Sequence, residues 1–299
     1  MKLHDRKLTI VNVGAHAFDM IKGSGGTLLK YAKDGHRIVP VCLSDCFERG
    51  ELPAEVSDEE AARIQREEVK KVARFAGFDE PRFLHYTELD MTNISDDMPA
   101  IMKVADIIRE VKPDVIFTHW PHDQTQGFYN HGNAGIVGEK AMKVAAMPDY
   151  HSNLPSHETK LVLYFLSTEF TPAQLEWNPT VYINVEEEIQ KLHQCYQLYR
   201  THTAAEEGGG VPTMLREYRL AIRRFYGVIT GCLYAEAFKL PQYIGAQFAF
   251  NKLPDEWVTT SGRAILGNVT DKETGAVAHP RLSIPKDWPE FLPVPKEYQ

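Results

Sequence analysis

Three short segments of this 299-residue chain concentrate side chains able to do chemistry. The first is Gly14-Ala15-His16-Ala17-Phe18-Asp19, with Gly23-Ser24-Gly25-Gly26-Thr27 close behind. The second is Ser44-Asp45-Cys46-Phe47-Glu48-Arg49-Gly50-Glu51. The third runs from Thr118-His119-Trp120-Pro121-His122-Asp123 to Tyr129-Asn130-His131. A His and an Asp three residues apart, joined by a second His from a distant segment, make a facial His/Asp/His set, the outline of a catalytic zinc site. Three protein ligands leave a coordination position for water, whose pKa the metal lowers towards neutrality while it polarises a substrate oxygen. Taken singly the residues are less specific: His16 serves as well as a satisfied histidine closing a strand, and Asp19 as a helix N-cap. The glycines do not form a dinucleotide loop, because the segment opens on His-Ala-Phe-Asp instead of GxGxxG; they suit close helix-to-sheet packing.

The elements that must position these segments alternate. Leu8 to Val13, Ile38 to Leu43, Arg82 to His85, Asp114 to Thr118 and Leu161 to Leu166 read as strands of near-continuous apolar character. Between them, Gly23 to Asp34, a charged segment capped by Ser57 or Asp58 and closed by Gly77, Ile101 to Val111, and His131 to Met147 read as helices. Buried strands separated by amphipathic helices predict a Rossmann-like α/β fold over the first 170 residues, a mostly parallel sheet with helices on both faces. In such a sheet ligands gather at the carboxyl ends of the strands, and all three segments follow strands. Beyond Thr180 a strand-like TVYINV precedes a helix to about His202, a Glu206 to Gly210 loop and a long helix from about Pro212 to Phe238. Residues 239–299 carry many of the prolines and read as an extended tail that packs on the 1–238 domain or on a neighbouring subunit.

With 33 basic and 41 acidic residues the formal charge is -8, which argues against general affinity for nucleic acid or anionic lipid. No stretch approaches the roughly 18 apolar residues of a membrane span, and the first residues lack an apolar signal region, so a cytoplasmic chain is expected. Cys42, Cys46, Cys195 and Cys232 include no CxxC pair and are expected as reduced thiols.

Together the segments resemble the PIG-L/LmbE family of zinc-dependent de-N-acetylases acting on N-acetylglucosamine conjugates. GAHAFDMIKGSGGTLL aligns without a gap to that family's AHPDD opening and its glycine segment. The resemblance implies that His16 and Asp19 are metal ligands and that His131, matching the last residue of the family's HPDH segment, is the third. CLSDCFERGE, REEVKKVARFAGF and GVITGCLYAEAF are similar to further family segments, so the likeness spans about residues 7 to 238. It implies zinc, with iron, cobalt or manganese also accepted by such a set, a small-molecule substrate, and a homo-oligomer, a trimer or hexamer.

Where the family places its general base the chain has Phe18, and Phe128 and Asn130 replace the first His and the Asp of HPDH. Substitutes at neighbouring strand ends are Glu48, Glu51, His122 and Asp123, with Glu48 the first choice and Arg49 a clamp for an anionic substrate. Tyr129 is a candidate for oxyanion stabilisation; His119, Trp120, Asp123 and His202 are candidates for the pocket wall, Asp123 also for orienting a ligand His. CLSDCFERGE and QLEWNP also resemble the 4-oxalomesaconate hydratase branch, which loses the same base. Three activities therefore compete: a de-N-acetylase or related amidohydrolase, a hydratase of an unsaturated polycarboxylate, and a metal-binding relative without turnover.

Overall fold

The computed structural model describes residues 6–16, 18–45, 52, 55–123, 129–150, 152–159, 161–166, 177–199, 211–241, 258–259 and 293–298. The apolar runs become β1 (Thr9–Gly14), β2 (Arg37–Ser44), β3 (Arg82–Tyr86), β4 (Val115–His119) and β5 (Leu161–Phe165), ordered β3-β2-β1-β4-β5. Every pairing is parallel, with Ile10 of β1 opposite Ile38 on one side and Val115 on the other. Helices α1 (Asp19–Lys33), α2 (Asp58–Ala76), the short α3 (Glu88–Met91), α4 (Met98–Val111) and α5 (Asn130–Ala146) make the connections. Because side chains alternate across a strand, Ile10 enters one core with Leu28, Val69 and Leu192, while Val11 and Val13 enter another with Val104, Ile108 and Val137. The sheet is thus covered on both faces, and the chain order reverses between β1 and β4. Their carboxyl ends flank the crevice where such folds bind ligands.

Local chemistry explains the helix ends. Ser57 accepts a hydrogen bond from Glu60 N–H (3.2 Å) to start α2, and Gly77, at φ 85°, ends it in the left-handed conformation. The first helix begins at Asp19, four residues before the expected Gly23, with Phe18 as an N-cap that offers no side-chain hydrogen bond. The alternative reading of Asp19 as an N-cap misses by one residue, since Asp19 is the first residue of the helix.

A second, antiparallel sheet joins β6 (Val181–Asn184), β7 (Ala235–Phe238) and β8 (Val258–Thr259) in the order β7-β6-β8. Helix α6 (Ile189–Leu198) follows β6, and α7 (Val211–Thr230) precedes β7. The long helix expected to reach Phe238 therefore stops at Thr230: Gly231 turns to φ 81°, Cys232 N–H returns to Gly227 O (2.9 Å), and Ala235–Phe238 pairs with β6. From this strand Glu236 accepts Gly26 N–H (2.9 Å) and Thr27 N–H (2.8 Å) of α1. Arg223 of α7 pairs with Glu236 at 2.7 Å and donates to Lys22 O (2.9 Å). One buried ion pair thus holds α1 against the second sheet. Near the chain end Val294 is buried and the Tyr298 ring lies 5.0 Å from that of Phe75.

Candidate metal centre

Asp19 and His16 meet because β1 ends two residues before His16 and α1 opens on Asp19; the carboxylate folds back to accept His16 N–H at 2.7 Å. His119 is the last residue of β4, and His131 the second of α5. Helix α5 seats itself directly on the end of β4. A Cβ at Gly135 would stand 2.3 Å from His119 O, so only glycine permits this approach, which stacks His131 on His119 at 4.4 Å between centroids.

At the centre Asp19 Oδ2 lies 3.0 Å from His119 Nε2 and 3.3 Å from His16 Nδ1, and Asp19 Oδ1 lies 3.5 Å from His131 Nε2. One possible ligand atom each from His16, Asp19 and His131 falls within 4.8 Å of the others. Asp19 is fully buried, and its Oδ1 has no hydrogen-bond partner among the described residues. A buried carboxylate oxygen in that condition calls for a cation, and an N/O/N donor set suits zinc and neighbouring divalent metals. His119, Asp123 and His131 form a second such group. All three of its members are sealed from solvent, whereas His16 of the first set keeps 8% exposure.

The electrostatics follow from one buried carboxylate among three imidazoles. Burial opposes charge on Asp19, but His131, His119 and His16 outweigh it and hold the carboxyl well below its ordinary range. Burial also pulls His16 down, yet Asp19 and Glu88 raise it to about 9. Burial dominates at His119, lowered to about 4. At His131 burial is overcome by Asp19 and Asp123, and the group is raised.

Glu88, which no sequence motif marked, stands beside this set. It opens α3, with Oε1 3.1 Å from His16 Nε2, and it accepts from Ser44 Oγ (3.0 Å) and from Asn130 Nδ2. The loop after β3 carried the available signal, an acid just past a strand's carboxyl end.

The other candidates are distributed around the centre. Asp123 is fully buried, its Oδ2 3.4 Å from His131 Nδ1. His119 is equally buried, between Asp19 and Phe165. Trp120 packs edge-on against Trp177. Tyr129 is 55% exposed, in the left-handed conformation at φ 57°, two residues before His131. Phe18 turns into the apolar core against Tyr196 and Tyr199, so its position offers no polar group to the centre. Glu48, Arg49, Glu51, Phe128 and His202 lie outside the described residues. Cys42, Cys195 and Cys232 are free thiols, and burial pushes Cys195 up to about 12.

Residues 11–142 match the family model PIG-L, described as GlcNAc-PI de-N-acetylase. The chain is 23% identical to a diacetylchitobiose deacetylase of Thermococcus kodakarensis over 77% of its own length and 82% of the relative's. It is 32% identical to a 1D-myo-inositol 2-acetamido-2-deoxy-alpha-D-glucopyranoside deacetylase of Thermomonospora curvata, over 52% of this chain and 59% of that one. Among solved structures, the N,N'-diacetylchitobiose deacetylase from Pyrococcus horikoshii superposes with a TM-score of 0.66 at 18% identity, covering 84% of this chain and 88% of that chain. GalB, the 4-carboxy-2-hydroxymuconate hydratase from Pseudomonas putida, superposes with a TM-score of 0.63 at 22% identity, covering 80% and 98%. At these identities the structural likenesses establish the α/β fold.

Proposed function

We propose, on the premise that residues 11–142 are a PIG-L family domain, that this chain is a metal-dependent hydrolase removing an acetyl group from a small N-acylated, amino sugar-like substrate. The observation that carries the reading is the buried Asp19 Oδ1, without a hydrogen-bond partner among the described residues and turned towards His131. His16, Asp19 and His131 would hold one divalent metal, with zinc preferred and iron, cobalt or manganese compatible with the same donors. Bound there, the metal supplies Lewis-acid polarisation and activation of water.

The chain's own groups do the rest. His119 and Asp123, both sealed from solvent, hold Asp19 and His131 in place, and Tyr129, exposed at the start of α5, presents its hydroxyl as a donor to the developing oxyanion. Glu48 is assigned as proton acceptor and Arg49 as a clamp for an anionic group, both from the sequence. Hydrolysis forms a bond from water oxygen to the acyl carbon, breaks the C–N bond and delivers a proton to the departing amine.

One observation favours a second reading, a hydratase adding water to an unsaturated polycarboxylate. The family's proton acceptor is replaced by Phe18, buried among aromatic rings, and hydration of a double bond has no leaving amine to protonate. We also assign a homo-oligomer, trimer or hexamer; support comes from Phe225, Val228 and Ile229, exposed apolar neighbours near the end of α7. No helix among the described residues is long and apolar enough to cross a membrane.

The deciding experiment strips the protein with chelator, reloads it with zinc, and assays acetate release from N-acetylated amino sugars beside hydration of unsaturated di- and tricarboxylates. Stoichiometric zinc and acetate release, both lost in His16→Ala, are expected. Zinc content unchanged in His16→Ala would overturn the site, and turnover of the carboxylates alone would select the hydratase.

A further inference from the structure

Two of the imidazoles at the centre repeat one arrangement. His16 turns Nδ1 to Asp19 Oδ2 (3.3 Å) and Nε2 to Glu88 Oε1 (3.1 Å). His131 turns Nε2 to Asp19 Oδ1 (3.5 Å) and Nδ1 to Asp123 Oδ2 (3.4 Å). In each ring one nitrogen faces the inner carboxylate, and the other faces an outer carboxylate supplied by a different strand-end segment.

A neutral imidazole carries a single N–H, and only its other nitrogen has a lone pair for a metal. A carboxylate that accepts the N–H fixes the tautomer, holds the ring's orientation and raises the basicity of the ligating nitrogen. We infer that Glu88 is a positioning residue of this kind for His16: it holds the proton on Nε2 and keeps Nδ1 turned towards Asp19 and the metal. This rests on the reading of His16, Asp19 and His131 as the ligand set.

Glu88 is built for that role and not for ligation. Ser44, fully buried at the end of β2, donates Oγ–H to Oε1 at 3.0 Å, and Asn130, buried at the start of α5, donates Nδ2–H to Oε2. Both carboxylate oxygens are therefore engaged by donors from other elements, and His16 supplies the third contact. Asp19, in contrast, keeps an oxygen without a hydrogen bond among the described residues. On either side of it, Thr87 and Asp90 form a reciprocal capping box that fixes the backbone from which Glu88 projects. The side chain of Glu88 keeps 23% exposure, so it stands on the more open side of the centre, and the His131 ring meets His16 edge-on at 5.2 Å between centroids.

The test uses the full chain, stripped of metal, and measures zinc affinity by competition with a chromophoric chelator for wild type, His16→Ala, Glu88→Ala and Glu88→Gln. Long-range 15N–1H imidazole spectra of the zinc-loaded wild type, with the His16 signals identified by their absence in His16→Ala, report the tautomer without any change at position 88. The expected result is a proton on Nε2 of His16, affinity lowered about 10- to 100-fold in Glu88→Ala, and a smaller loss in Glu88→Gln, which keeps one acceptor oxygen. Metal on Nε2 of His16, or wild-type affinity in both Glu88 variants, would overturn the inference. So would a Glu88→Gln protein that keeps its affinity and loses turnover, since Glu88 would then act on the substrate or on water. Wild-type affinity in His16→Ala removes the ligand set itself, an outcome distinct from failure at Glu88 alone. Should Glu88→Ala not fold, the wild-type tautomer and Glu88→Gln still decide.

Discussion

The Phe18 ring meets the Tyr199 ring edge to face, 4.4 Å between centroids and inclined at 73°, with Tyr196 closing a second edge contact at 5.4 Å. The position at which the resemblance to the PIG-L/LmbE family implies a proton acceptor is therefore part of the hydrophobic core here. Restoring the acid should not restore a base. Phe18→Asp is expected to lose about 3–5 kcal/mol of stability, the loss of a large buried ring, without gaining amide hydrolysis. Chemical denaturation beside an acetate-release assay checks this; a variant of wild-type stability with faster hydrolysis would refute it.

With His16 in the proposed ligand set, zinc uptake should release protons. In the metal-free protein burial disfavours a charge on His16, but Asp19 and Glu88 outweigh it and raise the group to about 9, so at pH 7 the ring carries a proton that a ligand cannot keep. The sign follows: because the ligand's pKa is raised, protons compete with metal throughout the neutral range, and affinity weakens as pH falls, by about tenfold per unit for each proton displaced. Calorimetric titrations in buffers of different ionisation enthalpy measure the number released. Heats independent of the buffer would contradict the assignment.

The buried Arg223–Glu236 pair should be costly to break from one side. Arg223→Met leaves Glu236 facing only the amides of Gly26 and Thr27, and a loss of about 3–5 kcal/mol is expected from a buried charge deprived of its partner. Urea unfolding measures it, and a loss under about 1 kcal/mol would show that the amides alone satisfy the carboxylate.

Two substitutions at Tyr129 separate backbone from hydroxyl. Its left-handed conformation, φ 57°, favours glycine, so Tyr129→Gly should gain about 1 kcal/mol in thermal unfolding. Tyr129→Phe should leave stability unchanged and lower kcat about 100-fold with little effect on KM, the behaviour of a lost oxyanion donor. Unchanged kcat would remove Tyr129 from the chemistry.

The parallel sheet was legible because four of its five strands are mainly apolar runs, β3 with its Arg82 and His85 being the exception, and each ends within about two residues of where periodicity puts it. His16 and Asp19 were legible from their spacing behind β1. The start of α1 was not: Phe18 at the N-cap gives no capping signal, and Asp19, itself a common cap, sits inside the helix. Strand β7 was hidden because LYAEAF continues the apolar rhythm of α7, and the break depends on Gly231 adopting φ 81°, which any glycine can do but few reveal. Glu88 was hidden for another reason. An acid in YTELDM looks like an exposed loop residue until Ser44, Asn130 and His16, from three separate elements, converge on it.

The contact between Glu236 and the amides of Gly26 and Thr27 also sets an order of events during synthesis. It spans 210 residues of chain, and His16, Asp19 and His131 are all translated before Glu236 exists. A nascent chain would carry its full set of candidate ligands while the helix bearing Asp19 still lacked its last anchor. Such long-range closure is slow relative to local folding. On the proposed ligand set, metal capture is then expected late, after β7 has docked, and a chain cut before residue 236 would hold the candidate ligands without the frame that brings them together.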